Sequence, residues 1–276
     1  MTRTRDHAFL VLLAFLGLYI WVRDLSWLDN AHDTWPILAG IPLFLGLTRP
    51  WSFARLETPP PVSQHVAVGV AFFLAGVLLD LAFLLALAWT CLLWAWIAAR
   101  IPAGQARQAT AKKLLALPLL SFPWIAADLH SLGWIFRLTG AAAAEQFFAL
   151  LHFDVLRQGT HLWVGGDAIS VDAACSGLNG LQAIFIAGTT LAYLKLKDSR
   201  RYWWSFPILF GAAWLANTLR IVMLALFSVQ TDWNISNGLV HALAGWLALC
   251  LAFGICWFIF TFQEQGSRWK EFPQHG

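Results

Sequence analysis

The chain has 276 residues, of which 59% are hydrophobic and only 12% charged, with a mean hydropathy of +0.64 and a net charge of +3. That charged share is about half of what a soluble domain carries, which excludes an ordinary soluble enzyme or a nucleic-acid-binding module. The composition points to an all-α, polytopic membrane protein, and the 17 Trp residues suit anchoring at membrane interfaces.

A spanning helix takes roughly 17–25 apolar residues. The apolar runs predict about eight spans, over residues 8–23, 34–48, 65–79, 81–99, 113–129, 175–195, 203–228 and 238–262. The first run follows basic residues but lacks a small-residue cleavage site, so it reads as a membrane helix rather than a cleavable signal. His65 to Ala99 is one apolar stretch broken only by Asp80. It is either a hairpin turning at Asp80 or one overlong helix, and loop charges favour the hairpin. With Arg3 and Arg5 in the cytoplasm and a hairpin at Asp80, 14 of the 18 Lys and Arg residues fall on the cytoplasmic side, as the positive-inside rule asks. A single helix would put the two densest basic loops outside.

Residues 130–174 form the only sizeable segment between spans and fall on the other side. Trp134 to Leu151 has the spacing of a helix lying at the interface or dipping partly into it. Gly159 to Asp172 alternates, carries β-branched residues and holds a Gly165-Gly166-Asp167 turn signal, which predicts a small β-hairpin. The expected organisation is therefore N-terminal membrane helices (1–130), an extracytoplasmic segment (131–174), a membrane core (175–262) and a cytoplasmic tail (263–276).

Three chemically distinctive residues fall on consecutive spans of that core. Cys175 opens the sixth span, and a thiol at a helix N-terminus has its pKa lowered by the partial positive charge there. Ser176 and Gly177 leave room for a substrate backbone to come close. Arg220 lies inside the seventh span, where a charged side chain costs at least ~2.5–3.5 kcal/mol on insertion scales and usually faces a functional cavity. Asn217 adds a hydrogen-bonding group on the same face at three-residue spacing. His241 stands at the start of the eighth span with Gly245 one turn later, and an imidazole supplies the base and acid of acyl transfer. Loop charges place all three in the outer half of the membrane. The bland readings are a packing cysteine, an arginine that snorkels or pairs with Asp172, and a histidine bonding a neighbouring helix. Asp172 itself reads as a helix cap or as an orienting group. The remaining cysteines, Cys91, Cys250 and Cys256, lie in apolar runs with no CxxC or Cys/His spacing, so neither a metal nor a disulfide framework is expected, and no cofactor is suggested.

Ala174-Cys175-Ser176-Gly177-Leu178, Asn217-x-x-Arg220 and His241-x-x-x-Gly245 together resemble the three motifs of the exosortase/archaeosortase family. The lead-in from Asp154 through Arg157 to Gly159, then Gly166 to Val171, fits the same resemblance, which covers roughly residues 150–262. It implies a multi-pass cysteine peptidase of transpeptidase type. Its substrates would be exported proteins bearing a C-terminal sorting tail: a short motif such as Pro-Glu-Pro, a membrane helix and a basic cluster. The roles it implies are nucleophile for Cys175, proton carrier for His241 and stabiliser for Arg220, with Asp172, Ser176, Gly177, Asn217 and Gly245 in support. Arg157, Trp163 and Asn179 are the expected substrate-binding residues, and Asn179 departs from the residue expected at its position. The acyl group would pass to an amine acceptor whose identity the sequence leaves open. The expected location is the inner membrane, with both termini cytoplasmic and the active site facing outward. A transporter or flippase binding an anionic group through Arg220 is the competing reading, and a structural partner in an envelope assembly is a third.

Overall fold

The structure is a computed structural model that describes residues 2–25, 35–51, 56–58, 60–165, 167–170, 178–197, 200–230 and 239–271. Its helices are α1 (Thr2–Val22), α2 (Gly40–Leu47, after a 3-10 turn Trp35–Ala39), α3 (Ser63–Leu78), α4 (Ala82–Ala98), α5 (Ala106–Lys113), α6 (Ala116–Leu119), α7 (Trp124–Asp128), α8 (His130–Leu150), α9 (Leu178–Leu196), α10 (Arg201–Gln230) and α11 (Leu239–Glu271). Three short strands, β1 (Val155–Gln158), β2 (His161–Val164) and β3 (Asp167–Ser170), lie between α8 and α9. Two compact units divide the chain, residues 1–128 and 129–276.

In the first unit the stretch from His65 to Ala99 is a hairpin. α3 ends in a Schellman-type turn: the Leu81 N–H bonds the Gly76 carbonyl at 3.0 Å, and Asp80 takes the left-handed conformation at φ 57° that such caps require. Arg23, just past α1, donates to the Asp80 carboxylate and, at 3.1 Å, to its carbonyl. α4 starts immediately afterwards, and its first amides are taken up from a distance. The Asp128 carboxylate accepts from the Ala82 N–H at 3.2 Å and the Phe83 N–H at 2.6 Å, doing what an N-cap side chain does for orphaned amides.

Among the described residues, two helices are both long and apolar enough to cross a membrane, Arg201–Val229 and Ala242–Gln265. The other apolar helices, including Ser63–Leu78 and Gly180–Leu196, run to 17 residues at most, so the expectation of eight full-length spans is met only in part. The run 113–129 departs most clearly from expectation. It is not one helix but the end of α5, then α6 and α7. Pro118 and Pro123 lie in it, and a proline has no N–H to donate and clashes with the carbonyl four residues back.

In the second unit α10 is the central helix, with α8, α9 and α11 packed on it. Lys195 near the end of α9 pairs with Glu264 at 3.3 Å and lies 4.8 Å over the Trp257 ring. Arg201 at the start of α10 bonds the Gln263 carbonyl. These contacts gather the end of α9, the start of α10 and the far part of α11, so the three helices alternate in direction. α8 runs parallel to α10: Phe136 meets Phe210 with ring centroids 5.4 Å apart, the Trp214 indole donates to Thr139 at 2.9 Å, and Phe148 is buried beside Ile221 and Ala225. The helix expected to lie at the interface over Trp134 to Leu151 is present but packs lengthwise against α10. Its Phe136, Gly140, Ala141, Ala144 and Phe148 are buried and recur at three- and four-residue spacing, which gives it a face that only another helix covers.

The predicted hairpin is there, extended by one strand. β1, β2 and β3 form an antiparallel sheet in that order, with Val155 opposite Val164 and Val164 opposite Asp167. The turn at Gly165 (φ 62°) is where the glycine signal put it. Leu162 and Val164 bury one face against Ala144, Phe148, Ile221 and Leu224. The sheet thus sits at the end of α10 away from Lys195 and Arg201.

Candidate functional site: a buried arginine between two apolar helices

Arg220 lies on α10 and is only 8% exposed, in a helix that is otherwise a membrane-length apolar stretch. α11 passes directly over it. A Cβ on Gly245 would come within 3.3 Å of Arg220 Cζ, 3.4 Å of Nε and 3.5 Å of Nη2, so the guanidinium occupies the space that any other residue at 245 would need. His241 is the third residue of α11, one turn before Gly245. At 1.5 Å per residue its backbone stands about 6 Å along the helix from the point of contact with Arg220.

Asn217 precedes Arg220 by three residues and is 3% exposed. Neither its amide nitrogen nor its amide oxygen has a hydrogen-bond partner among the described residues. Such a burial costs roughly 1–3 kcal/mol for each unsatisfied group, so the position is one that packing alone would not retain. Thr218 beside it is satisfied, its hydroxyl donating to the Trp214 carbonyl at 3.0 Å. α8 meets this level of α10 at Gly140, where a Cβ would stand 2.8 Å from Ile221 Cδ1, 3.5 Å from Thr218 Oγ1 and 3.8 Å from Asn217 Nδ2.

Arg220, Asn217 and Gly245 are therefore brought together on α10 and α11. Asp172, Cys175, Ser176 and Gly177 lie outside the described residues, and of Asn179 and His241 the backbone alone is described. Arg157 is on β1, where its Nε donates to Glu145 of α8 at 2.7 Å and its Nη1 to the Gly159 carbonyl at 3.1 Å; its guanidinium fastens the sheet to α8. Trp163 is on β2, half-buried, on the face opposite Leu162 and Val164, with its ring 6.2 Å from that of His161. Among the described residues no group of three or more His, Cys, Asp or Glu side chains is placed to hold a metal.

Sequence reasoning missed Gly140, Glu145 and Gln182. The small-residue run Gly140 to Ala144 was a readable sign of close helix approach, and Glu145 a readable partner for the next cation along the chain. Gln182, 1% exposed on α9, stands three residues after Asn179, a spacing that puts both on one helical face.

A buried cation and a buried amide at one level of apolar helices define a helical membrane protein with a polar intramembrane site. The chain matches the transmembrane exosortase (Exosortase_EpsH) family over residues 2–258, and it belongs to that family. Exosortases are in general transpeptidase-type sorting enzymes. No curated protein and no solved structure gives a significant match.

Proposed function

We propose that the protein is an inner-membrane cysteine transpeptidase that cleaves C-terminal sorting tails of the PEP-CTERM type from exported proteins. Arg220 carries the reading: a guanidinium buried on α10, pressed against the α11 backbone at Gly245, one turn from His241. Two of the three motif residues thereby belong to adjacent helices, one turn apart. Lys195, Arg201 and the other basic residues of the α9–α10 connection mark the opposite end, which the positive-inside rule assigns to the cytoplasm. The site then opens toward the extracytoplasmic side, and both termini are cytoplasmic.

In the mechanism the tail's membrane helix docks laterally and presents its scissile bond in the outer leaflet. The Cys175 thiol gives its proton to His241, and the sulfur attacks the carbonyl carbon. Arg220 donates to the oxyanion, a preorganised interaction that gains strength where water is excluded. The C–N bond breaks, the leaving amine takes the proton from His241, and a thioester remains. An amine acceptor then attacks the thioester, gives up its proton and restores the thiol. Asp172, Ser176, Gly177, Asn217 and Gly245 support the three reacting groups, while Arg157, Trp163 and Asn179 line the approach of the tail.

The decisive test is Cys175→Ser in cells expressing a tail-bearing reporter. Loss of all tail processing with normal protein level in the membrane is the expected result. Persistent processing sinks the thioester mechanism.

A further inference from the structure

A peptide bond can be cut only where its chain is not wound into a helix, so the N–H and C=O groups beside it have lost their internal partners. Within the hydrocarbon no water replaces those partners, and the enzyme has to supply them. The fitting partner offers a donor and an acceptor side by side. Asn217 does so: its carboxamide is 3% exposed and both of its polar atoms are without a hydrogen bond among the described residues. Among the described residues its neighbours do not compete for it. Thr218 is engaged with the Trp214 carbonyl, the Trp214 indole with Thr139, and α8 brings Gly140 close across the seam, where a Cβ would be 3.8 Å from Asn217 Nδ2.

We propose that Asn217 is a substrate-binding residue that holds one peptide unit of the tail, its Oδ1 accepting from the tail's N–H and its Nδ2 donating to the tail's carbonyl. The contact lies one helical turn from Arg220 and fixes the unwound stretch next to the scissile bond. Because α8 covers the amide in the free enzyme, the α8–α10 seam parts at Gly140 to admit the peptide. This rests on the tail-cleaving reading above and adds which atoms of the tail are held and by which group.

The test uses the full-length protein in liposomes with a purified reporter carrying the motif, membrane helix and basic cluster. Capture of the reporter by the Cys175→Ser protein measures binding without chemistry. Adding Asn217→Leu is expected to weaken capture roughly tenfold, the loss of one hydrogen-bonded pair. The thermal midpoint in detergent should stay level or rise, because an unsatisfied buried amide has been removed, and Asn217→Gln should recover part of the capture. Undiminished capture overturns the proposal, as does a fall in capture together with a lowered midpoint, which would mark a structural bond. Undiminished capture with a changed ratio of hydrolysed to transferred product, measured in the protein retaining Cys175, assigns the amide to a water instead. Cleavage that persists in Cys175→Ser while Asn217→Leu still weakens capture overturns the thioester and leaves the Asn217 contact standing.

Discussion

The two ends of the helix group α9–α11 treat their polar residues in opposite ways. At the Lys195 end the charged groups sit at helix termini and are paired: Lys195 with Glu264 at 3.3 Å, and Arg201 with a carbonyl of α11. Both partners of the ion pair keep 23% of their side-chain surface exposed, so each charge stays within reach of water. At the other end Arg220 and Asn217 are almost wholly buried, far from a helix terminus, and Gly245 gives up its side chain so that the guanidinium fits. One end spends polar groups on assembly, where they stabilise modestly and could be exchanged. The other keeps them nearly out of reach of water, where burying a polar group is costly, which is the pattern of a site held for chemistry.

Substitutions can break that contrast, beginning with Arg220→Lys. An ammonium keeps the charge but loses the planar fork of donors, and removing one preorganised donor to an oxyanion costs roughly 100-fold in rate or more. Tail processing should fall on that scale while protein level and thermal midpoint hold; unchanged processing would show that the site needs only a positive charge. Gly245→Ala tests the same contact from α11. The added methyl must push the guanidinium by a few tenths of an ångström, and with a 1 Å misplacement worth about 100-fold, a loss of roughly tenfold in turnover is expected, with reporter capture intact. An equal loss from capture and turnover would instead indicate that α11 has shifted as a whole. At the opposite end Lys195→Gln should change little: about 0.5 kcal/mol of stability and no change in processing rate. A large effect on processing there would erase the contrast between the ends.

Much of this was written in the residues, and the parts that were not have identifiable causes. The hairpin at Asp80 was legible because loop charges constrain parity, and the structure then supplies its local reason in the left-handed Asp80 and the Leu81-to-Gly76 hydrogen bond. The broken run 113–129 was not, because hydropathy averages over Pro118 and Pro123 while the backbone cannot. The apolar spacing of α8 fits a helix lying at the interface or dipping into it, and it does not say which helix covers that face. Its buried face shows that a helix can be shielded by a neighbour rather than by its own composition. Arg220 was conspicuous as a charge in an apolar run. That Asn217 lacks partners among the described residues was invisible, since satisfaction of an amide is decided by what other helices bring to it. The bond from Arg157 to Glu145, twelve residues earlier, at 2.7 Å was hidden in the same way, since it depends on how the sheet packs on α8.

The reach of Asp128 back to the amides of Ala82 and Phe83 bears on where this chain can be divided. Asp128 is the last residue of the first unit, and it is also the group that closes the start of α4. A cut even one residue upstream would leave two part-buried amides at the start of α4 without that partner, at roughly 1–3 kcal/mol for each unsatisfied group. A fragment ending at Asp128 therefore retains the cap of α4, and one ending at Ala127 does not.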